Sequence, residues 1–162
     1  MHGSSSRCVC VNIPGVIARQ VQLPETATEA EVVQAVHSLN TDDSVHGIIV
    51  QLPLPPHIHA PSVTNAVTHS KDVDGFTMQS IGSVASSGQP PCFCPCTPKG
   101  CLRLIKATIG ETLRGQEAVV IGASNIVGGP MASLLIHEGC TVTVCHIDTV
   151  DTRAHAQKAD SE

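Results

Sequence analysis

Apolar residues along this chain fall into two rhythms, and the clearest alternation between them lies between residues 117 and 146, EAVVIGASNIVGGPMASLLIHEGCTVTVCH. Residues 118–121 are a short apolar run, the pattern of a strand buried on both faces. The run breaks at Gly122, Ala123, Ser124 and Asn125 and turns helical after Ile126, Val127, Gly128, Gly129 and Pro130. Proline suits a first helical turn because no intrahelical donor is needed there. Met131, Leu134 and Leu135 then recur at helical spacing, and Gly139 offers a left-handed stop. Residues 141–145 are again β-prone. Strand, glycine-rich turn, helix and strand make a βαβ unit, whose helix N-terminus presents free N–H groups to an anion. A dinucleotide pyrophosphate is the expected ligand.

The rest of the chain is read against that unit. Residues 16–23 alternate well enough to predict a strand, closed by Pro24 and Glu25. Thr28 and Glu31 have the spacing of a capping box, and Val32, Val33, Val36 and Leu39 continue it as an amphipathic helix ending near Asn40. Residues 47–50 predict a short buried strand running into Gln51, Leu52 and Pro53, where Pro53, Pro55 and Pro56 forbid helix or inner sheet. Residues 60–70 predict a short helix, and residues 80–98, rich in Ser, Gly and Pro, an extended connection between lobes. Thr97 is the expected N-cap of the next helix, with Pro98 at its first position, Leu102, Ile105 and Ile109 as its buried stripe and Gly110 as its end. A strand–helix–strand rhythm in both halves predicts α/β architecture with a mainly parallel sheet in each lobe.

Composition narrows the function. The 162 residues are 41% hydrophobic but include only two Phe and neither Tyr nor Trp, so the core must be aliphatic. A net charge of −5 without a basic block makes nucleic acid and anionic membranes poor partners. No apolar run approaches the roughly 20 residues of a membrane span. The serine-rich, acid-free N-terminus has an apolar stretch interrupted by Asn12 and Pro14, which argues against a secretory signal and only faintly suggests an organellar presequence. The expected location is the cytoplasm, ahead of the mitochondrion. Eight cysteines include the close pair Cys8 and Cys10 and the cluster Cys92, Cys94, Cys96 and Cys101. A cofactor domain without a secretory signal points to reduced thiols, and the cluster lacks the paired C-x2-C knuckles of structural zinc, so no metal is expected.

Candidate chemistry sits in three places. Gln51 is a polar amide at the C-terminal end of a predicted strand, where open α/β sheets place ligand contacts; it also serves equally well as a partner for loop backbone. Lys71, Asp72, Val73, Asp74 and Gly75 have the composition of an ordinary solvated turn. Gly122-x5-Gly128-Gly129 departs from the G-x-G-x-x-G spacing and could be glycine-rich for purely structural reasons. His57 and His59 read as exposed loop residues, and Ser124 has no His/Asp arrangement to make it a nucleophile.

Taken together, four stretches in one order resemble a single family. They are EAEVVQAVHSLNTDDSVHGIIVQLPLP at 29–55, KDVDGF at 71–76, PCTPKG at 95–100 and VVIGASNIVGGP at 119–130. The family is the bifunctional methylenetetrahydrofolate dehydrogenase/methenyltetrahydrofolate cyclohydrolase of one-carbon metabolism, and the likeness spans residues 15–149. It implies an α/β fold of two lobes: an N-terminal folate-binding lobe at 1–90 and an incomplete Rossmann-like dinucleotide-binding lobe at 91–162. The implied substrates are 5,10-methylenetetrahydrofolate and 5,10-methenyltetrahydrofolate. The implied cofactor is NADP, with NAD the alternative, and the implied assembly is a homodimer through the cofactor lobe.

The resemblance also assigns roles. Gln51 and Asp74 match the catalytic pair, the aspartate anchoring the pterin ring, with Leu52, Pro53 and Gly75 beside them against the substrate. These matches replace the solvated-turn reading of 71–76. Thr97, Gly122, Ala123, Ser124, Asn125, Ile126, Val127, Gly128, His146 and Thr149 match the cofactor contacts. Many family members carry Arg where this chain has Ala123, and Asp148 is unhelpful to a 2′-phosphate. The family's first lobe bears a Tyr-x-x-x-Lys pair whose lysine is central to cyclohydrolysis. Ungapped counting puts Gly3 and Arg7 at those positions, and arginine is a poor proton shuttle. The family's later P-G-G-V-G-P-M-T segment is not found. A truncated member, or a non-catalytic remnant that binds weakly or pairs with a full-length partner, is therefore expected.

Overall fold

The computed structural model describes residues 15–86 and 93–159. Cys8, Cys10, Cys92, Gly3 and Arg7 lie outside the described residues.

The first lobe begins with α1 (Glu29–Thr41), and its start is as read from the sequence. The Thr28 N–H donates to Glu31 Oε2 at 2.7 Å, while the Glu31 N–H donates to Thr28 Oγ1 at 3.3 Å. Val36 is buried on the inner face of α1 against Ile48, Ile58, Val63 and Val67, with Val32, Val33 and Leu39 packed around them. The cluster is wholly aliphatic, as the composition requires. α2 (Ala60–Asn65) is shorter than the predicted helix; a separate 3₁₀ turn, His69–Lys71, follows it.

Both strands expected in this lobe are absent as strands. Residues 16–23 pair with no backbone among the described residues, and Ile17 is 89% exposed. Alternation makes a strand only where a partner supplies the ladder, and here the Arg19 side chain ties the segment to Asp42 at 2.9 Å and to Ser44 at 3.1 Å. Residues 47–50 reduce to one parallel bridge, Ile48 with Asp72, with the Ile48 N–H donating to Lys71 O at 2.8 Å. Ile48 faces the core while Ile49 faces out, so the apolar run is half-buried.

α3 (Met78–Ala85) occupies the start of the stretch expected to be extended. Thr77 caps it, accepting from the Ser80 N–H at 3.1 Å, and Val84 is buried. A cap and one apolar face suffice for eight residues despite the Ser and Gly content. α3 packs against α5 and so joins the two lobes.

α4 (Cys96–Ile109) starts two residues earlier than read: Pro95 is the N-cap and Thr97 makes no capping bond. Pro98 sits in the first turn, where its missing N–H costs nothing. Leu102 and Ile105 join the second core of Leu113, Met131 and Leu135, but Ile109 does not and is exposed. Gly110 ends the helix with φ 114°.

β1 (Glu117–Ile121), α5 (Gly128–His137) and β2 (Thr141–Cys145) form the expected βαβ unit. β1 and β2 are parallel, in register from Glu117 opposite Thr141 to Ile121 opposite Cys145. β1 is not buried on both faces: its central residues are half-buried and Ile121 is 69% exposed. Among the described residues only β2 pairs with β1, and α5 packs against both strands. A short α6 (Thr152–Ala156) follows.

Candidate functional site: a carboxylate loop and a glycine cradle

In the first lobe, the loop joining the 3₁₀ turn to α3 carries two carboxylates two residues apart, and their surroundings differ sharply. Asp72 is 3% exposed. Its Oδ1 accepts from the Phe76 N–H at 3.1 Å, and its Oδ2 from the Thr77 N–H at 2.9 Å and the Ser80 hydroxyl at 2.6 Å. Burial pushes its pKa up, but the bonds from Ser80, Thr77 and Phe76 outweigh that and hold the carboxyl below its ordinary value. With its proton given to Asp72, Ser80 Oγ accepts from Thr77 Oγ1 at 3.0 Å and faces His69 Nδ1 at 3.2 Å.

Asp74 is half-buried and accepts no hydrogen bond among the described residues. Burial, and secondly the negative charge of Asp72, raise its pKa above the ordinary carboxylate value. It lines a small recess with Ile48, Val50, Thr64, Val67, Asp72 and Phe76. Gly75, the next residue, is buried with φ 69°, and a Cβ there would sit 3.0 Å from Pro95, so glycine is needed for conformation and space alike.

Lys71, beside the two carboxylates in sequence, is not free. Its Nζ donates to Leu39 O at 3.1 Å, Asn40 O at 2.7 Å and Asp42 O at 2.9 Å, capping the carbonyl end of α1. Gln51 is exposed, and its Nε2 donates to Leu52 O at 3.0 Å, the backbone-partner role. Leu52 is half-buried and Pro53 exposed, joined by a cis peptide.

In the second lobe, the turn after β1 lies at the C-terminal end of the parallel pair, where the Gly122 N–H donates to Cys145 O at 2.8 Å. Gly122 has φ 115°. Ser124 Oγ accepts from the N–H groups of Val127 at 3.2 Å and Gly128 at 3.4 Å, and Ser124 O accepts from the Gly129 N–H at 2.9 Å. The side chain therefore organises the first turn of α5. Gly128 packs on Gly122 so closely that a Cβ would lie 1.9 Å from Gly122 O. Ala123, Asn125, Ile126 and Val127 are exposed around this turn.

Beside it, the residues after β2 close a second turn: the His146 N–H donates to Thr149 Oγ1 at 2.8 Å and the Thr149 N–H to His146 O at 3.0 Å. The structure thus brings Gly122–Gly128 and His146–Thr149 together, and leaves Thr97 exposed on α4 with no side-chain hydrogen bond among the described residues. An exposed glycine turn at the C-terminal ends of two parallel strands leaves close backbone approach open to a dinucleotide, while the N–H groups that the sequence offered to an anion at Val127 and Gly128 are taken by Ser124 Oγ. Cys94, Cys96, Cys101, Cys140 and Cys145 are free thiols, and no three potential metal ligands cluster among the described residues.

Sequence reasoning missed Asp72, Ser80 and His69. The spacing Thr77-x-x-Ser80, a cap before a short helix, was the available signal.

Fold and site together define a two-lobed α/β protein that sets a carboxylate loop in one lobe and a dinucleotide cradle in the other. Comparison with known proteins agrees. Residues 6–74 match the tetrahydrofolate dehydrogenase/cyclohydrolase catalytic domain, and residues 95–161 match that family's NAD(P)-binding domain. The bifunctional protein FolD of Ehrlichia ruminantium is 48% identical over 146 residues, covering 90% of this chain and 48% of that protein. Among solved structures, the FolD enzyme of Campylobacter jejuni superposes with TM-score 0.76 at 47% identity, over 84% of this chain and 48% of that one. The Trypanosoma brucei enzyme, complexed with NADP and an inhibitor, gives TM-score 0.80 at 33% identity, over 86% and 48%. The chain belongs to the tetrahydrofolate dehydrogenase/cyclohydrolase family. It spans about half the length of the curated relatives it matches.

Proposed function

We propose that this chain takes part in methylenetetrahydrofolate oxidation, with residues 1–90 as the folate lobe and 91–162 as the NADP lobe. The observation that carries the reading is Asp74: a half-buried carboxylate that accepts no hydrogen bond among the described residues, in a recess beside Val50, the residue that leads into Gln51. A half-buried acceptor with no donor among the described residues is open to one from a ligand, and the adjacent ring N–H groups of a pterin supply it. In this reading Asp74 holds the ring and Gln51 turns its amide from Leu52 O to the reacting carbons. Leu52, Pro53 and Gly75 shape the approach.

Bound NADP supplies the hydride acceptor. The chain's own contribution is positional. Gly122 and Gly128 let backbone approach the pyrophosphate, and Ser124 fixes the turn. Ala123, Asn125, Ile126, Val127, His146, Thr149 and Thr97 form the surrounding surface. A hydride leaves the folate methylene carbon with its electron pair, producing the methenyl cation that water then attacks in the cyclohydrolase step. That second step is expected to be slow. Arg7 stands at the lysine position of the resemblance, and Lys71, the only lysine among residues 1–98, is spent on α1 carbonyls.

The test is a purified chain mixed with saturating 5,10-methylenetetrahydrofolate and NADP. NADPH formation above blank, with methenyl product accumulating, is the expected result; no NADPH removes the proposal. In that event the second reading applies, a non-catalytic partner of full-length chains. The apolar surface of Ile121, Ile147 and Val150 at the open sheet end favours it. The same surface suits a homodimer, which sedimentation would detect. Cytoplasmic residence is part of the proposal and is read by imaging a tagged chain.

A further inference from the structure

Asp74 sits midway along a segment whose two ends are bonded to each other. His69, on the 3₁₀ turn, lies five residues before it, and Ser80, in the first turn of α3, six after it. His69 Nδ1 stands 3.2 Å from Ser80 Oγ. Ser80 is fully buried, and Asp72 and Thr77 beside it are 3% and 4% exposed, so the serine hydroxyl is out of reach of water.

The proton positions follow from the donors and acceptors present. Asp72 is ionised and only accepts, so the Ser80 hydroxyl proton lies on the 2.6 Å bond to Asp72 Oδ2. Thr77 Oγ1 accepts from the Ser80 N–H at 3.1 Å and gives its own proton to Ser80 Oγ at 3.0 Å. Ser80 Oγ has only a lone pair left for the imidazole, so Nδ1 is the ring nitrogen that carries hydrogen. His69 makes no other side-chain hydrogen bond among the described residues, so this contact alone sets its tautomer. The opposite tautomer would turn a bare Nδ1 to Ser80 and compete with Asp72 for the one proton.

Resting on the folate-lobe reading proposed above, we infer that His69 is a positioning residue for Asp74. Its Nδ1–H ties the 3₁₀ turn to α3 and leaves the Ser80 proton to Asp72, whose oxygens hold the Phe76 and Thr77 N–H groups just beyond Asp74. The carboxylate that meets the pterin is held from both sides. Bonds in such a chain polarise one another, so a loss at the imidazole is felt at Asp72 and in the loop it anchors.

Binding of 5-formyltetrahydrofolate, a stable reduced folate with the pterin N–H donors, to the full chain tests this by titration calorimetry at about pH 8, where imidazoles are neutral. His69→Asn puts an N–H donor where Nδ1 stands, whereas His69→Gln puts one only at the reach of Nε2. The Asn variant should bind within about twofold of wild type, and the Gln variant roughly three- to tenfold more weakly, the scale of one neutral hydrogen bond. Nitrogen NMR of histidine-labelled wild type should show hydrogen on Nδ1 of His69. A Gln variant that binds as wild type does, or a wild type with hydrogen on Nε2 alone, overturns the assignment of His69 and leaves the folate reading standing. Asn and Gln variants weakened alike mark a general structural loss and overturn it as well. If either variant fails to fold by circular dichroism, the NMR tautomer decides. A wild type that binds no folate removes the folate reading and this inference with it.

Discussion

Gly128 and Gly129 are adjacent glycines at the start of α5, yet alanine should have opposite effects at the two positions. At Gly128 the added Cβ would lie 1.9 Å from Gly122 O and 2.6 Å from Gly122 C, both backbone atoms. Neither can withdraw freely, because the Gly122 N–H is bonded to Cys145 O at 2.8 Å and its φ of 115° is itself a glycine conformation. Relief requires the turn to part from β2 or the first turn of α5 to unwind, and overpacking of this kind costs about 3 kcal/mol or more. At Gly129 the nearest atom to a new Cβ is Ser124 O at 3.5 Å, an ordinary contact, so the helix gains the roughly 0.5–1 kcal/mol by which alanine exceeds glycine. For a chain of this size about 1 kcal/mol moves Tm by roughly 2–4 °C. Gly128→Ala should therefore melt about 6–12 °C below wild type and lose dinucleotide binding, while Gly129→Ala melts about 1–4 °C above it. Differential scanning calorimetry with and without NADP checks both. A Gly128→Ala protein as stable as wild type would refute the close approach of the two glycines and the turn geometry built on it.

Three further outcomes follow from the carboxylate loop. Asp72→Ala strands the Phe76 and Thr77 N–H groups and the Ser80 hydroxyl, and should cost about 3–5 kcal/mol in urea unfolding. Because the folded Asp72 pKa is lowered, its contribution is present above the unfolded value of about 3.9 and is lost as pH falls through the lower folded value, so the wild-type advantage shrinks in acid. Asp74 has the opposite sign. Its raised folded pKa makes the protonated form the more stable one in the native state, a benefit lost as pH rises through that pKa, so Asp74→Asn should melt higher at neutral pH while folate binding, followed by fluorescence, disappears. Lys71→Met removes the ammonium from three carbonyls at the end of α1 and should cost about 1.5–3 kcal/mol, read as a lower urea midpoint with unchanged NADP affinity.

Legibility in the sequence followed the range of the interactions involved. The capping box of Thr28 and Glu31 and the β1–turn–α5–β2 unit are written in contiguous residues and were read with nearly the observed bounds. Residues 16–23 and 47–50 were not, because a strand is a property of two segments, and periodicity in one does not provide the other. α3 hid behind its Ser and Gly content, although Thr77, Ile81 and Val84 encode a cap and an apolar face. Within KDVDGF the sequence presents two equivalent aspartates. Only the arrival of the Phe76, Thr77 and Ser80 donors around one of them tells the pair apart.

That difference between Asp72 and Asp74 also says how the loop divides its labour. A buried carboxylate is tolerable when donors surround it, and Asp72 has three, all within the eight residues that follow it. Those bonds fix the backbone that carries Asp74, while Lys71 ties the same backbone to α1 and Gly75 lets it pass against Pro95. Among the described residues no hydrogen bond reaches Asp74. An acceptor raised in pKa by burial and by a neighbouring charge costs the folded protein stability that packing alone would not demand. A rigid loop presenting one unsatisfied carboxylate is the arrangement a ligand with paired N–H donors relieves, and replacing Asp74 by an isosteric amide separates the two accounts. Higher stability with lost folate affinity means the carboxylate is held in readiness for a ligand, whereas lower stability would place Asp74 among the groups that hold the loop together.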